Sequence, residues 1–396
     1  MDKTVFQQGI LLVFREQDLL CLGQIFKINM HPDLIYLISL TRVPQVGCIH
    51  AKTLLQTFGT AEAVFKAPVH LLEKLEGIGR IRAQYIKTFR DFSRSEKEIL
   101  FLERYKICAL TMDDPAYPQR LLPCYDAPVL LYYKGSADLN QPKVVSIVGT
   151  RRFSEYGKEI TEKLIREITS YQVLVVSGLA FGIDAIAHKT ALKQSLQTVG
   201  VLAHGLNTLY PPEHALLSKD MTKQGGLLTE FMSDTKPDKH HFPVRNRIVA
   251  GISDAVIVTE TGVKGGSMIT ADLANGYHKE VFAFPGRTTD LKSAGCHWLI
   301  RNNQANLISN AQELVNLLGW EKKLQTGPVM QPDLFIALNE DEQRIVDLLK
   351  ERESIHIDII NAITGLTTSQ NACALLNLEM KDIIQSLPGT IYKLNV

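Results

Sequence analysis

What this chain has little of narrows its chemistry first. Its 396 residues include only six cysteines, Cys21, Cys48, Cys108, Cys124, Cys296 and Cys373, with no CxxC pair and no Cys/His cluster at zinc-ligand spacing. Neither a disulfide framework nor a structural metal is indicated, and a reducing compartment fits. Long apolar runs are missing as well. The longest near the N-terminus, Gly9 to Phe14, is too short to span a bilayer and lacks a basic start and a small-residue cleavage site. The expected location is the cytoplasm, with no membrane partner. Charge of one sign is not in excess either: 43 Lys and Arg against 42 Asp and Glu leave +1.

Whole-chain charge averages over surfaces that differ. Residues 1–110 carry 15 basic and 11 acidic side chains, a balance of +4, residues 111–337 carry 23 and 22, and residues 338–396 carry 5 and 9, a balance of −4. The acidic end is a poor candidate for the main contact with a polyanion, and a protein contact is expected there.

The length predicts two or three domains. From Pro32 to Phe101 helical periodicity broken by small turns predicts four or five short helices. One turn, Gly77-Ile78-Gly79 before Arg80 and Arg82, has the outline of a helix-hairpin-helix, with a plain helix connection as the simpler reading. Between about 143 and 318 short apolar runs alternate with amphipathic stretches, which predicts a Rossmann-like, doubly wound, mainly parallel sheet. Residues 319–337 lose all periodicity and read as a linker. In the small domain after it, Asn339 and Glu342 form a capping-box pattern and the rest outlines a winged helix. The expected division is an N-terminal extension at 1–31, a helical module at 32–110, the α/β domain at 111–318, the linker, and the winged helix at 338–396. Met30 is an alternative start.

In a doubly wound sheet ligands sit outside the carboxyl ends of the strands. There the first strand runs into Gly149-Thr150-Arg151-Arg152, a glycine for close backbone approach and an arginine for bidentate phosphate contact, ahead of a helix start. A dinucleotide site would instead show GxGxxG and an acidic residue ending the second strand, which ends in Val176-Ser177-Gly178. Asp184 and His188, four apart on one helix, read as structural for want of a third ligand, and His204, His214, His240, His241 and His297 have no metal-site spacing. No metal or cofactor is expected. Lys239-His240-His241-Phe242-Pro243-Val244-Arg245-Asn246-Arg247 joins cations to an aromatic at a helix start, the combination that suits unpaired bases on a phosphate chain. A structural alternative puts Arg245 and Arg247 in ion pairs and Phe242 in the core. Lys264, Gly265, Gly266 and Ser267 open another helix with free backbone amides, without the GK[ST] ending of a Walker A loop.

These pieces in this order resemble the DNA-processing protein A (DprA/Smf) family: YPQRLL, APVLLYYKG, IVGTRRFSEYG, VVSGLAFGIDAIAH, VLAHGLNTLYPPEH, FPVRNRIVAG, GGSMITADLA, VFAFPG and, in the tail, IHIDIINAITGL with LLNLEMKDIIQSLPGTIYKL. The resemblance spans about residues 32–396. It implies a helical N-terminal domain of the sterile-alpha-motif or helix-hairpin-helix kind, a Rossmann-like domain that binds single-stranded DNA, and a winged-helix tail. It also implies a homodimer and a non-enzymatic role in loading the RecA recombinase during natural transformation. By motif, Gly149, Thr150, Arg151, Arg245, Asn246 and Arg247 correspond to phosphate binders, Lys239 to a backbone contact and Phe242 to a base platform, with Gly265, Gly266 and Ser267 lining the same groove. Departures are His214 for asparagine, Asn207 for aspartate, His297 for asparagine, Gly265 for serine, and Pro212 where some relatives have lysine. A competing reading is a nucleotide-processing enzyme like the lysine-decarboxylase-like phosphoribohydrolases, whose loop carries a catalytic glutamate. Here Glu260 precedes the loop instead.

Overall fold

The computed structural model describes residues 33–320 and 338–394, apart from 351, 353, 382 and 388. The extension at 1–31 and nearly all of the linker lie outside the described residues. The chain divides into two compact units, with the division at Lys323/Leu324.

The first unit begins with six helices, α1 (Leu34–Thr41), α2 (Cys48–Phe58), α3 (Ala61–Lys66), α4 (Val69–Glu73), α5 (Gly79–Thr88) and α6 (Ser93–Tyr105). The turn between α4 and α5 places Gly77 and Gly79 at φ 77° and 59°, a region open to glycine at little cost. Arg82 donates to the carbonyls of Gly77 and Gln45 at 2.9 Å each, so this arginine ties the turn to the bundle.

The chain then forms β1 (Cys108–Thr111), β2 (Leu130–Gly135), β3 (Val144–Val148), α7 (Glu155–Ile168), β4 (Leu174–Ser177), α8 (Ile183–Lys193), β5 (Thr198–Val201), α9 (Ala215–Gln224) and β6 (Gly226–Thr229). It continues through α10 (His241–Gly251), β7 (Ala255–Val258), α11 (Gly266–Gly276), β8 (Glu280–Ala283), α12 (Ala294–Arg301), β9 (Asn306–Leu307) and α13 (Ala311–Leu317). The strands make one nine-stranded sheet in the order β1-β2-β6-β5-β4-β3-β7-β8-β9, parallel from β6 to β9. The doubly wound expectation holds. β1 and β2 add an antiparallel edge, β1 pairing with β2 and β2 with β6. The run APVLLYYKG, read from sequence as lying before the sheet, is therefore part of it.

Alternation along the strands sorts side chains onto two faces. Val144 and Val148 of β3 and Val256 and Val258 of β7 face one apolar core, while Val145, Ile147, Ala255 and Ile257 face another with Ile165 and Phe282. Truncating a fully buried residue such as Ile147 to alanine is expected to cost roughly 2–5 kcal/mol. On β2, Leu131 and Tyr133 join the sheet core, whereas Leu130 and Tyr132 complete the core of the helical bundle. Packing thus runs continuously across residue 110.

The second unit contains α14 (Glu340–Lys350), β10 (Ile355–His356), α15 (Ile357–Thr364), α16 (Thr368–Met380), β11 (Ile384–Leu387) and β12 (Ile391–Leu394). Its strands pair in the order β10-β12-β11, and the unit is a winged helix. The capping box is present: Asn339 N donates to Glu342 at 3.0 Å and Glu342 N to Asn339 at 2.8 Å. Asn371 in α16 is fully buried and bonded to Thr364 and Asn361, so it faces the unit's own interior. No helix among the described residues is long and apolar enough to cross a membrane.

Candidate functional site

Strand order reverses between β3 and β7, and at such a switch point adjacent crossovers leave in opposite directions and open a crevice. A cleft of about 800 Å³ lies there, lined by the loops after β3 and β4, by α10 and by the start of α11. Ten of the twelve residues marked from sequence line it: Gly149, Thr150, Arg151, Lys239, Phe242, Arg245, Asn246, Gly265, Gly266 and Ser267. Arg152, Asp184, Tyr210 and Asp238, which sequence did not single out as contacts, line it too.

Lys264 is exposed outside the lining. Arg247 is not brought to the cleft either. Two residues along a helix turn about 200°, so Arg245 and Arg247 leave α10 on opposite faces, a signal present in the spacing itself. Arg247 forms a buried ion pair with Glu230, donates to the Asp126 carbonyl, and lines a second cleft of about 810 Å³.

Arg245 is also buried, beneath the cleft, where it donates to the carbonyls of Gly178 and Val201. A Cβ on Gly178 would lie 2.5 Å from its guanidinium, which explains the glycine. Burial draws Arg245 down to about 10, opposed by the Asp184 charge. Burial raises the Asp184 carboxyl in turn, against Arg245 and the backbone N–H groups of Gly178 and Ala180 that it accepts at 3.1 and 3.3 Å. Arg245 therefore fixes the ends of β4 and β5, and Asp184 holds the loop between β4 and α8. His188 is fully buried with Nδ1 2.7 Å from Thr198, and burial pushes it down to about 3, so it stays neutral. Burial likewise lowers His204, while His297 faces the Gly286 carbonyl at 3.0 Å. His188 thus ties α8 to β5, while His204 and His297 serve the loops.

Two helix starts follow loops that line the cleft, and a helix start offers N–H groups and the positive end of a dipole. At α7 the position is taken internally. Glu260, 1% exposed, accepts from Ser154 N at 2.8 Å and from the Ser154 hydroxyl. Gly149 is a glycine because a Cβ would press to 2.6 Å on Ile183, so its small size serves internal packing. At α11 the start is open. A Cβ on Gly266 would meet nothing within 4 Å, and its φ is not positive, so no internal constraint requires glycine there. The Ser267 hydroxyl donates to Thr261 at 2.7 Å and the Gly265 N–H, expected from sequence to be free, donates to the Gly262 carbonyl at 2.9 Å, which leaves the backbone amides of Gly266 and Ser267 as the outward donors of this turn.

Arg151, Arg152 and Lys239 are exposed and form no ion pair among the described residues. The Arg151 guanidinium lies over the half-buried Phe242 ring at 5.3 Å, and Tyr210 packs beside that ring at 5.9 Å. Asn246 accepts from Arg245 Nε at 3.2 Å through its oxygen, leaving its amide N–H groups to donate. The cleft therefore offers unpaired cations, free amides and an aromatic face. Among the described residues no group of three or more His, Cys, Asp or Glu is placed to hold a metal.

The family described as DNA recombination-mediator protein A matches residues 108–319, and the DprA winged helix domain matches 332–390. Protein Smf of Synechocystis is 32% identical over 392 residues, covering 90% of this chain and 98% of the relative. The DNA processing protein DprA of Streptococcus pneumoniae is 37% identical over 238 residues, 57% of this chain and 84% of its own length. The X-ray structure of that pneumococcal protein aligns with TM-score 0.63 and 31% identity, covering 71% of this chain and 97% of the other.

Proposed function

Because the chain belongs to the DNA recombination-mediator protein A family, we propose that its cleft binds single-stranded DNA without chemistry upon it, as a recombination mediator. The observation that carries the reading is the pairing of unneutralised cations with a ring face: Arg151, Arg152 and Lys239 around Phe242, beside the open start of α11. Phosphates would take the cations and the amides of Gly266 and Ser267, and an unpaired base would take the Phe242 face. A duplex hides its base faces, so preference for single strands follows.

The test is titration of a labelled oligonucleotide at several salt concentrations. Affinity should fall steeply with salt, and Arg151→Glu should weaken it by about tenfold or more. Equal binding by wild type and variant would sink the reading.

The proposal extends to a cytoplasmic homodimer that assists RecA loading during DNA uptake, which rests on family membership. Sedimentation of the full chain tests the dimer, and RecA filament growth on covered single strands, with and without this protein, tests the loading. The nucleotide-hydrolase alternative finds less support, since Glu260 is engaged by Ser154. Release of free base from nucleoside monophosphates, lost in Glu260→Gln, would restore it.

A further inference from the structure

Next to the cleft is a narrow recess of about 20 Å³, room for one water molecule, bounded by Phe181, Tyr210 and Phe242 with Arg151 and Arg245. A base does not fit inside it. Its rim is another matter, because Phe181 and Tyr210 are 42% and 43% exposed. Single exposed apolar side chains are ordinary, but these two are held outward by loops with little freedom.

Two residues before Phe181 stands Leu179, a fully buried leucine at φ 55°, a left-handed conformation that strains a branched side chain. The strain is held from several sides. The Leu179 side chain packs with Leu202, Leu217 and Met221, its carbonyl lies 3.0 Å from His214 Nδ1, and Asp184 takes the N–H groups of the residues on either side. Behind Phe181 the chain turns at Gly182, where a Cβ would strike the Thr150 carbonyl at 2.2 Å. The Phe181 and His214 rings meet in a T-shaped arrangement at 5.2 Å, and Phe181 stays largely open to solvent. Tyr210 N donates to buried His204 at 3.2 Å, which fixes the second loop, and the Tyr210 ring sits 5.9 Å from Phe242.

We propose that Phe181 and Tyr210 form a second base-stacking ledge, taking the unpaired base of the nucleotide next to the one on Phe242. The proposal rests on reading the cleft as a single-stranded-DNA surface. Rings fixed before binding lose little freedom when a base stacks, and every base has a π face, so the ledge is tolerant of sequence.

The experiment compares a labelled oligo-dT with an abasic oligonucleotide of equal length and charge, at two salt concentrations. Wild type should prefer oligo-dT. Phe181→Ala should lose roughly tenfold for oligo-dT while its affinity for the abasic strand and its salt slope stay at wild-type values, and Tyr210→Ala should show a similar loss for oligo-dT. Phe181→Trp should keep the affinity, and its added emission should be quenched by oligo-dT and not by the abasic strand. Wild-type affinity in Phe181→Ala, equal binding of both strands by wild type, or a parallel loss on the abasic strand would each overturn the ledge while leaving the cleft a DNA surface. Failure of wild type to bind either strand would instead overturn the reading beneath it.

Discussion

The starts of α7 and α11 carry the same backbone chemistry, each just after a loop that lines the cleft, yet they have opposite fates. At α7 the Ser154 hydroxyl takes the Gly157 N–H and Glu260 backs that cap, whereas the start of α11 has no side-chain cap. The same contrast divides the arginines. Arg245 and Arg247 are buried against carbonyls and Glu230, whereas Arg151 and Arg152 stand exposed. A helix start beside a doubly wound sheet is thus not a ligand site by position alone. It becomes one where the protein leaves its donors unanswered.

The sharpest way to test this division is to remove an interior partner. Arg247→Ala strands Glu230 as a buried carboxylate, and denaturant unfolding should show a loss of about 3 kcal/mol, at the low end for a broken buried pair because Glu230 keeps 15% exposure. Oligonucleotide affinity should stay within about twofold; a large loss would place Arg247 in the cleft after all. Glu260→Ala orphans the Ser154 donors and should cost about 2 kcal/mol by the same measurement, and an unchanged stability would mean that water replaces the carboxylate.

Gly266→Asp would copy the α7 arrangement onto α11. The new side chain has open space, so the melting temperature should hold or rise slightly, while oligonucleotide affinity drops about tenfold as the carboxylate takes the amides. Unchanged affinity would erase the distinction between the two helix starts.

The smallest effect concerns pH. His188 is held at about 3 in the fold against 6.5 in the unfolded chain. A depressed histidine contributes stability that is complete above 6.5 and is lost as pH falls toward 3. Between pH 7 and pH 5.5 the loss should be about 1 kcal/mol, read from unfolding curves, and His188→Gln should flatten that slope.

Most of the fold was legible because buried parallel strands write themselves as short apolar runs, and the switch-point rule then pointed to the loops after β3, β4 and β7. The β1–β2 edge was harder. It joins the sheet through the antiparallel pairing of β2 with β6, a contact nearly a hundred residues away in the chain that no local pattern marks. For the site, a glycine and a cation in a loop look the same whether they face a ligand or the interior. Gly149 and Gly178 make room for Ile183 and Arg245, while Gly266 makes room for nothing internal.

By itself the sequence determined the layered α/β plan, the winged helix with its Asn339–Glu342 cap, and the family, since periodicity, caps and ordered motifs are local in the chain. Only the tertiary structure decided which charges remain for a partner. Glu260 lies 106 residues from Ser154 and Arg247 lies 17 from Glu230, and whether a charge is answered depends on groups that folding alone brings together.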